Sequence, residues 1–168
     1  LQIAVLNKMH GSATNAVYLW GQRTTQPYGG YQPRRPIRLT NADIGPMKDL
    51  PGVAVVAPRT QLGGYRDGHL VRHGGKSGNR QVMGDVPDYR HVQPMNLTLG
   101  RWLNDLDLTE RRKVAVIGQQ VVDELFEPDE EALAGAITVN GVHFTVVGVF
   151  QTRASGDRAD RQESTVHL

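Results

Sequence analysis

An α+β fold is predicted by three local patterns in this 168-residue chain. Lys113-Val114-Ala115-Val116-Ile117 is an apolar run that breaks at Gly118 and gives way to a 3.6-residue period over 119–126, the signature of a strand turning into a helix. Residues 136–139 and 142–149 alternate apolar and polar side chains around Asn140-Gly141, a dipeptide suited to the two positive φ angles of a type I′ hairpin turn. Thr40-Asn41-Ala42-Asp43 precedes Ile44 and Met47 on one helical face, a helix entry in which Pro46 is acceptable only in the first turn.

The remaining elements follow in order. Residues 1–10 repeat Ile3, Leu6 and Met9, and Lys8 and His10 stand before Gly11, which predicts the end of a short helix. Residues 15–20 are β-branched and aromatic and predict a strand. Five Pro and Gly residues between 27 and 36 forbid a continuous element there. After Pro51-Gly52, residues 53–57 predict a buried strand. Residues 59–80 predict two strands joined by a loose loop at 74–78, and residues 81–83 a strand entering Gly84-Asp85. Residues 87–91 predict one helical turn, and 95–99 a strand closed by Gly100. In the 136–149 hairpin, Val139 faces Val142 and Ile137 faces Phe144, with Thr138 and His143 on the other side. Past Gly148 the alternation fails, which predicts a bulge or burial on both faces. Residues 151–164 are polar and predict a mobile loop, and 165–168 an extended segment.

Composition removes several chemistries. Without cysteine the chain has no disulfide, thiolate metal site or cysteine nucleophile. No apolar run approaches the ~18 residues that span a bilayer. The chain opens at Leu1 with no basic-plus-apolar leader, as expected of a piece of a longer protein. Its charge is uneven: residues 1–84 hold 11 Lys/Arg and 3 Asp/Glu, whereas 85–168 hold 8 and 14. Gly75-Lys76-Ser77 has Leu70 where a phosphate loop needs glycine, and the turn at Gly118 has Gln120 and Asp123 where a dinucleotide site needs its further glycines. His69 and His73 are four apart but sit among glycines, so they read as exposed loop histidines rather than metal ligands. The carboxylates Asp105, Asp107, Glu127, Asp129, Glu130 and Glu131 lie in polar surroundings unsuited to acid–base catalysis. Gly100, Arg101 and Trp102 with Asp105 and Asp107 predict a structural turn in which Arg101 pairs with one of the two carboxylates; Gly118, Asn140 and Gly141 are further turn residues. Trp20, Arg23, Tyr28, Tyr31, Arg34 and Arg35 interleave cations and rings, a composition of contact surfaces. An α/β enzyme built on the Ile117-Gly118 turn and a nucleic-acid module built on the Arg/Tyr stretch are the alternatives these residues leave.

An ordered set of motifs goes further. It runs Asn15-Ala16-Val17-Tyr18-Leu19-Trp20-Gly21, Thr25-x-Pro27-Tyr28-x-Gly30, Leu39-Thr40-x-x-Asp43-Ile44, Leu50-Pro51-Gly52-Val53, Gly100-Arg101-Trp102-Leu103-x-Asp105-x-Asp107, Lys113 to Gly118, Ile137-x-Val139-x-Gly141 and Phe144 to Val149. In that order and spacing the chain resembles the periplasmic core domain of MacB-like ABC transporter permeases, the FtsX/LolC/MacB superfamily. The resemblance implies a mixed α/β porter-like part with an inserted, mostly β, sabre-like part. Residues 1–58 would form the first half of the porter, 59–149 the sabre, and 150–168 a loop and strand returning to the porter. It also implies a non-catalytic domain without cofactor or metal, on the extracytoplasmic face of the bacterial inner membrane. Its partners would be the permease's own transmembrane helices, a cytoplasmic ATPase, a periplasmic adaptor and a second copy in a homodimer, with no nucleic acid. Under this reading the basic half of the chain, residues 1–84, would meet anionic lipid or an adaptor.

Overall fold

The strand Val142–Thr152, the longest of those described, organises the larger part of the molecule. The computed structural model describes residues 15–63, 68–152 and 156–168. Two compact units emerge, Asn15–Val56 and one that includes Ala57–Leu168. The larger unit contains β1 (Thr60–Leu62), β2 (His69–His73), β3 (Lys76–Gly84), α2 (Tyr89–Val92), β4 (Met95–Gly100), α3 (Asp105–Thr109), β5 (Val114–Gly118), α4 (Gln119–Leu125), β6 (Ala136–Val139), β7 (Val142–Thr152), α5 (Asp157–Glu163) and β8 (Thr165–His167); α1 (Ile44–Lys48) lies in the smaller unit. The fold is α+β.

The β6–β7 hairpin has the expected register, with Ile137 opposite Phe144 and Val139 opposite Val142. Asn140 and Gly141 take φ of 49° and 79°, the left-handed pair that a type I′ turn requires. On its other side β7 pairs in parallel with β5, and beyond the hairpin β4 joins it antiparallel. From there the pairings run β7–β5–β8–β3–β2–β6 and return to β7. Six strands therefore close a ring in which each has a partner on both sides, the arrangement that removes free edges. β1 extends the β3 ladder in line with β2.

The ring's side chains separate by parity. Val71, Val82, Ala115, Ile117, Ile137, Val139, Val146, Val149 and Val166 form one core together with Val121 and Leu125 of α4 and Phe126 just after it. Val116 and Phe150 face the other way, into a second core with Tyr89, Trp102 and Leu103. β5 and the 148–150 part of β7 thus bury both faces, which is why their sequence reads as an unbroken apolar run. The failed alternation at Gly148 has a second cause. Ala115 pairs with Val146 but Val116 with Gly148, so β7 carries an extra residue at Val147.

Several expectations are corrected. Residues 15–20 form no strand, and Val17, Leu19 and Trp20 are exposed; a β-prone sequence stays irregular when no neighbouring strand completes its ladder. Residues 53–57 form no strand, and Val53 and Val55 are exposed, for the same reason. The loose loop at 74–78 is a two-residue turn at Gly74-Gly75, since Lys76 already pairs with His73. Residues 157–163, expected in a loop, are the helix α5. It is held to β7 by Thr152, whose N–H donates to Glu163 Oε1 (3.0 Å) and whose hydroxyl donates to Gln162. The helix expected in residues 1–10 lies outside the described residues.

Within Asn15–Val56, Thr40 N–H donates to the Asp43 carboxylate (2.6 Å) and opens a short 3-10 turn, Asn41–Asp43, that runs into α1. Pro46 stands in the first turn of α1, where its missing N–H leaves no helical bond unmade.

Candidate functional site

The turn after β4 is the most tightly built of the predicted sites. Gly100 and Gly148 are register partners, and a Cβ on Gly148 would lie 2.2 Å from Arg101 O. Two glycines allow the backbones to approach this closely, and Arg101 N–H donates to Val147 O (2.9 Å). The contact aims the Arg101 side chain at α3. Its guanidinium makes a bidentate pair with Asp107, Nη1 to Oδ2 at 2.6 Å and Nη2 to Oδ1 at 2.9 Å, while Nη1 also reaches Trp102 O. Asp107 belongs to a capping box: Asn104 Oδ1 accepts from Asp107 N–H, and Asp107 Oδ2 accepts from Asn104 N–H, both at 3.0 Å. The Arg101 guanidinium holds the Asp107 carboxyl below its ordinary range, and Asn104 N–H adds to the shift against the opposing effect of burial. Asp105 takes no part in this clamp; its carbonyl accepts from Thr109. Trp102 is buried edge-on to Phe150. An open cleft of about 260 Å³ beside the clamp is lined by Leu103, Leu108, Arg111, Arg112, Lys113 and Phe144.

A second cluster escaped the sequence reading. Asp85, at the end of β3, and His167, in β8, are both buried and lie 82 positions apart. His167 Nδ1–H donates to Asp85 Oδ2 at 2.5 Å. Arg59 Nε stands 3.0 Å from the other carboxylate oxygen, near enough for an ion pair although its N–H is not aimed at that atom. Arg59 also lies over the Tyr89 ring and donates to its hydroxyl, which in turn donates to Gln93. Trp102, Phe150 and Tyr89 enclose the imidazole. Burial lowers the His167 pKa and outweighs the opposing pull of Asp85, while Arg59 lowers it further, so the imidazole stays neutral and donates through Nδ1. The alternation Thr165-Val166-His167 shows that Thr165 and His167 share a face, but only β8 pairing with both β3 and β5 buries that face. The cluster ties Arg59, just ahead of β1, to the end of β3 and to β8.

Elsewhere the predicted residues have structural occupants. A Cβ on Gly118 would meet Glu163 O at 2.0 Å, so the backbone at the end of α5 fills the space a pyrophosphate would need. His69 and His73 sit on β2, not in a loop. His69 faces Asn140, while His73 stacks on Phe126 and spans Ala136 O and Glu130.

The Arg/aromatic stretch forms an irregular ribbon in the smaller unit. Gln22 O accepts from Ile37 N–H (2.7 Å), and Thr24 exchanges bonds with Arg34 and Arg35. Arg23 bridges Pro36, and Tyr28 pairs with Tyr31 across Gly29-Gly30. Tyr18 stacks near Trp20, Arg35 lies over Tyr31, and Arg23 Nη1 donates to Arg34 O. These side chains are brought into one unit but remain exposed.

The closed strand ring has counterparts among solved structures. The fold superimposes on the periplasmic region of MacB from Actinobacillus actinomycetemcomitans with a TM-score of 0.67 at 20% identity, covering 98% of this chain and 69% of that one. It also superimposes on the extracellular domain of the noncanonic ABC-type transporter YknZ from Gram-positive bacteria, with a TM-score of 0.63 at 19% identity over 77% and 61% of the two chains. The chain belongs to the MacB-like periplasmic core domain family, which it matches over residues 3–166. Among curated proteins it is 34% identical over 149 residues to the uncharacterized ABC transporter permease YvrN of Bacillus subtilis, covering 86% of this chain and 34% of YvrN. It is 28% identical to the macrolide export ATP-binding/permease protein MacB of Rhodospirillum rubrum, covering 77% of this chain and 19% of that protein. The chain thus spans about a third of the first relative and about a fifth of the second. No helix among the described residues is long and apolar enough to cross a membrane.

Proposed function

We propose that this chain is a non-catalytic extracytoplasmic domain of a MacB-like ABC transporter permease, on the outer face of the inner membrane, and that it relays ATP-driven movement to substrate export. The family match across nearly the whole chain carries the reading. The physical design supports it. A relay needs elements that move together, and the closed ring supplies them: a shift of β8 acts directly on β3 and β5. The Asp85–His167 hydrogen bond, with Arg59 paired to the same carboxylate, adds a tie between the end of β3 and β8. Residues 1–58 serve as the first porter half, 59–149 as the sabre, and 150–168 as the return. The permease's transmembrane helices, a cytoplasmic ATPase, a periplasmic adaptor and a second copy in a homodimer are the partners of this account. Gly100, Arg101, Trp102 and Asp107 act in it as structure, and Trp20, Arg23, Tyr28, Tyr31, Arg34 and Arg35 as contact surface.

The test uses the full-length parent with its ATPase in vesicles, spin-labelled through Ser77→Cys on the exposed part of β3. Dipolar coupling between two copies is expected, with a distance that changes when a non-hydrolysable ATP analogue binds. A single distance insensitive to nucleotide contradicts the relay, and absence of coupling contradicts the dimer.

A further inference from the structure

We propose that the ribbon of residues 18–38 docks on an anionic membrane surface. Residues 15–42 contain four arginines, Arg23, Arg34, Arg35 and Arg38, and no Asp or Glu. Neither Arg34 nor Arg38 has a carboxylate partner for its side chain among the described residues. The same ribbon presents aromatic side chains outward: Trp20 is 73% exposed and Tyr28 88%. Tyr28 and Tyr31 flank the Gly29-Gly30 turn and form the ribbon's tip. Leu19, Ile37 and Leu39 add exposed apolar surface.

Charge and shape together select the occupant. Four guanidinium groups with no ion pair among the described residues call for a negative surface. Phosphate headgroups supply that charge at a depth where Trp and Tyr, apolar in body and polar at one end, are most favourably placed. An acidic protein would also supply charge, but protein anchors are energetically important when they fill well-packed pockets shielded from water. Side chains as exposed as Trp20 and Tyr28 project from the surface, which suits insertion into an interface that deforms around them. The inference rests on the reading of the chain as part of a permease, which keeps the ribbon tethered near a bilayer; the assay uses the 168-residue chain alone, so its failure leaves that reading intact.

The assay is partitioning onto vesicles of mixed phosphatidylglycerol and phosphatidylcholine, against vesicles of phosphatidylcholine. Tryptophan emission supplies a local readout, because Trp102, the other of the two tryptophans, is buried. Binding to the anionic vesicles with a blue shift in emission is expected, and Trp20→Phe is expected to remove the shift. Arg34→Gln with Arg38→Gln is expected to weaken partitioning roughly 25-fold at low salt, about fivefold for each arginine. Unchanged circular dichroism checks that the variants remain folded. Equal binding to both vesicle types, no binding, or partitioning unaffected by the arginine pair overturns the proposal. So does tighter binding to polyglutamate without a Trp20 response to vesicles, which makes an acidic protein the occupant, or ribbon-dependent self-association, which makes it a second copy.

Discussion

Asp107→Ala is expected to destabilise the chain by about 2–3 kcal/mol. The carboxylate is 4% exposed and accepts three hydrogen bonds, two from Arg101 and one from Asn104 N–H. Arg101 is 40% exposed and regains water when its partner goes, so the ion pair itself is worth only about 0.5–1 kcal/mol. Losing Asp107's half of the capping box leaves the Asn104 N–H without its acceptor, at about 1.5–2 kcal/mol. For a chain of this size each kcal/mol moves Tm by about 2–4 °C, which predicts a fall of roughly 5–10 °C. The assay is thermal unfolding followed by circular dichroism, with Arg101→Ala alongside. That variant is expected to lose only about 1 kcal/mol, because Asp107 keeps the cap. A Tm for Asp107→Ala within about 1 °C of the unsubstituted chain would refute the account of the clamp.

Acidification tests the buried cluster. The folded chain holds the His167 pKa below the ordinary imidazole value of about 6.5, so between the two values the unfolded chain binds more protons. Stability is therefore full above about pH 6.5 and falls as pH drops through that window; His167→Gln is expected to flatten the fall, and an equally steep fall in that variant contradicts the assignment. The lowered Asp107 pKa has the same sign in a lower window: its contribution is present above about pH 4 and is lost below it, and Asp107→Asn removes that phase in an acid titration of Tm. Gly118→Ala places a Cβ 2.0 Å from Glu163 O and is expected to cost about 1–3 kcal/mol by displacing α5. Gly141→Ala meets open space and carries only the strain of its positive φ, about 1 kcal/mol, so denaturant midpoints in the reverse order count against the close approach.

Local signals made part of this fold legible. Asn140-Gly141 between alternating segments specified both the turn and the Ile137–Phe144 register. The apolar run 113–117 and the break at Gly118 specified β5 and α4. The resemblance carried by the ordered motifs matched the family the chain belongs to. The remainder depended on partners distant in sequence. Residues 53–57 have a strand's composition but no ladder, whereas Thr165–His167 becomes buried only by closing the ring. α5 has no apolar stripe to announce it and is held by Thr152 and by packing behind Gly118. Of the candidate sites, Arg101 with Asp107 was readable because six positions separate them. Asp85 with His167 was not, since neither residue's neighbours signal the other.

Topology bears most directly on the central claim. In intact cells carrying the full-length parent, a membrane-impermeant maleimide is expected to label Ser77→Cys on exposed β3 and to spare Ala115→Cys in the buried core. Labelling of Ser77→Cys only after the membrane is permeabilised would place the domain on the cytoplasmic side and contradict the account.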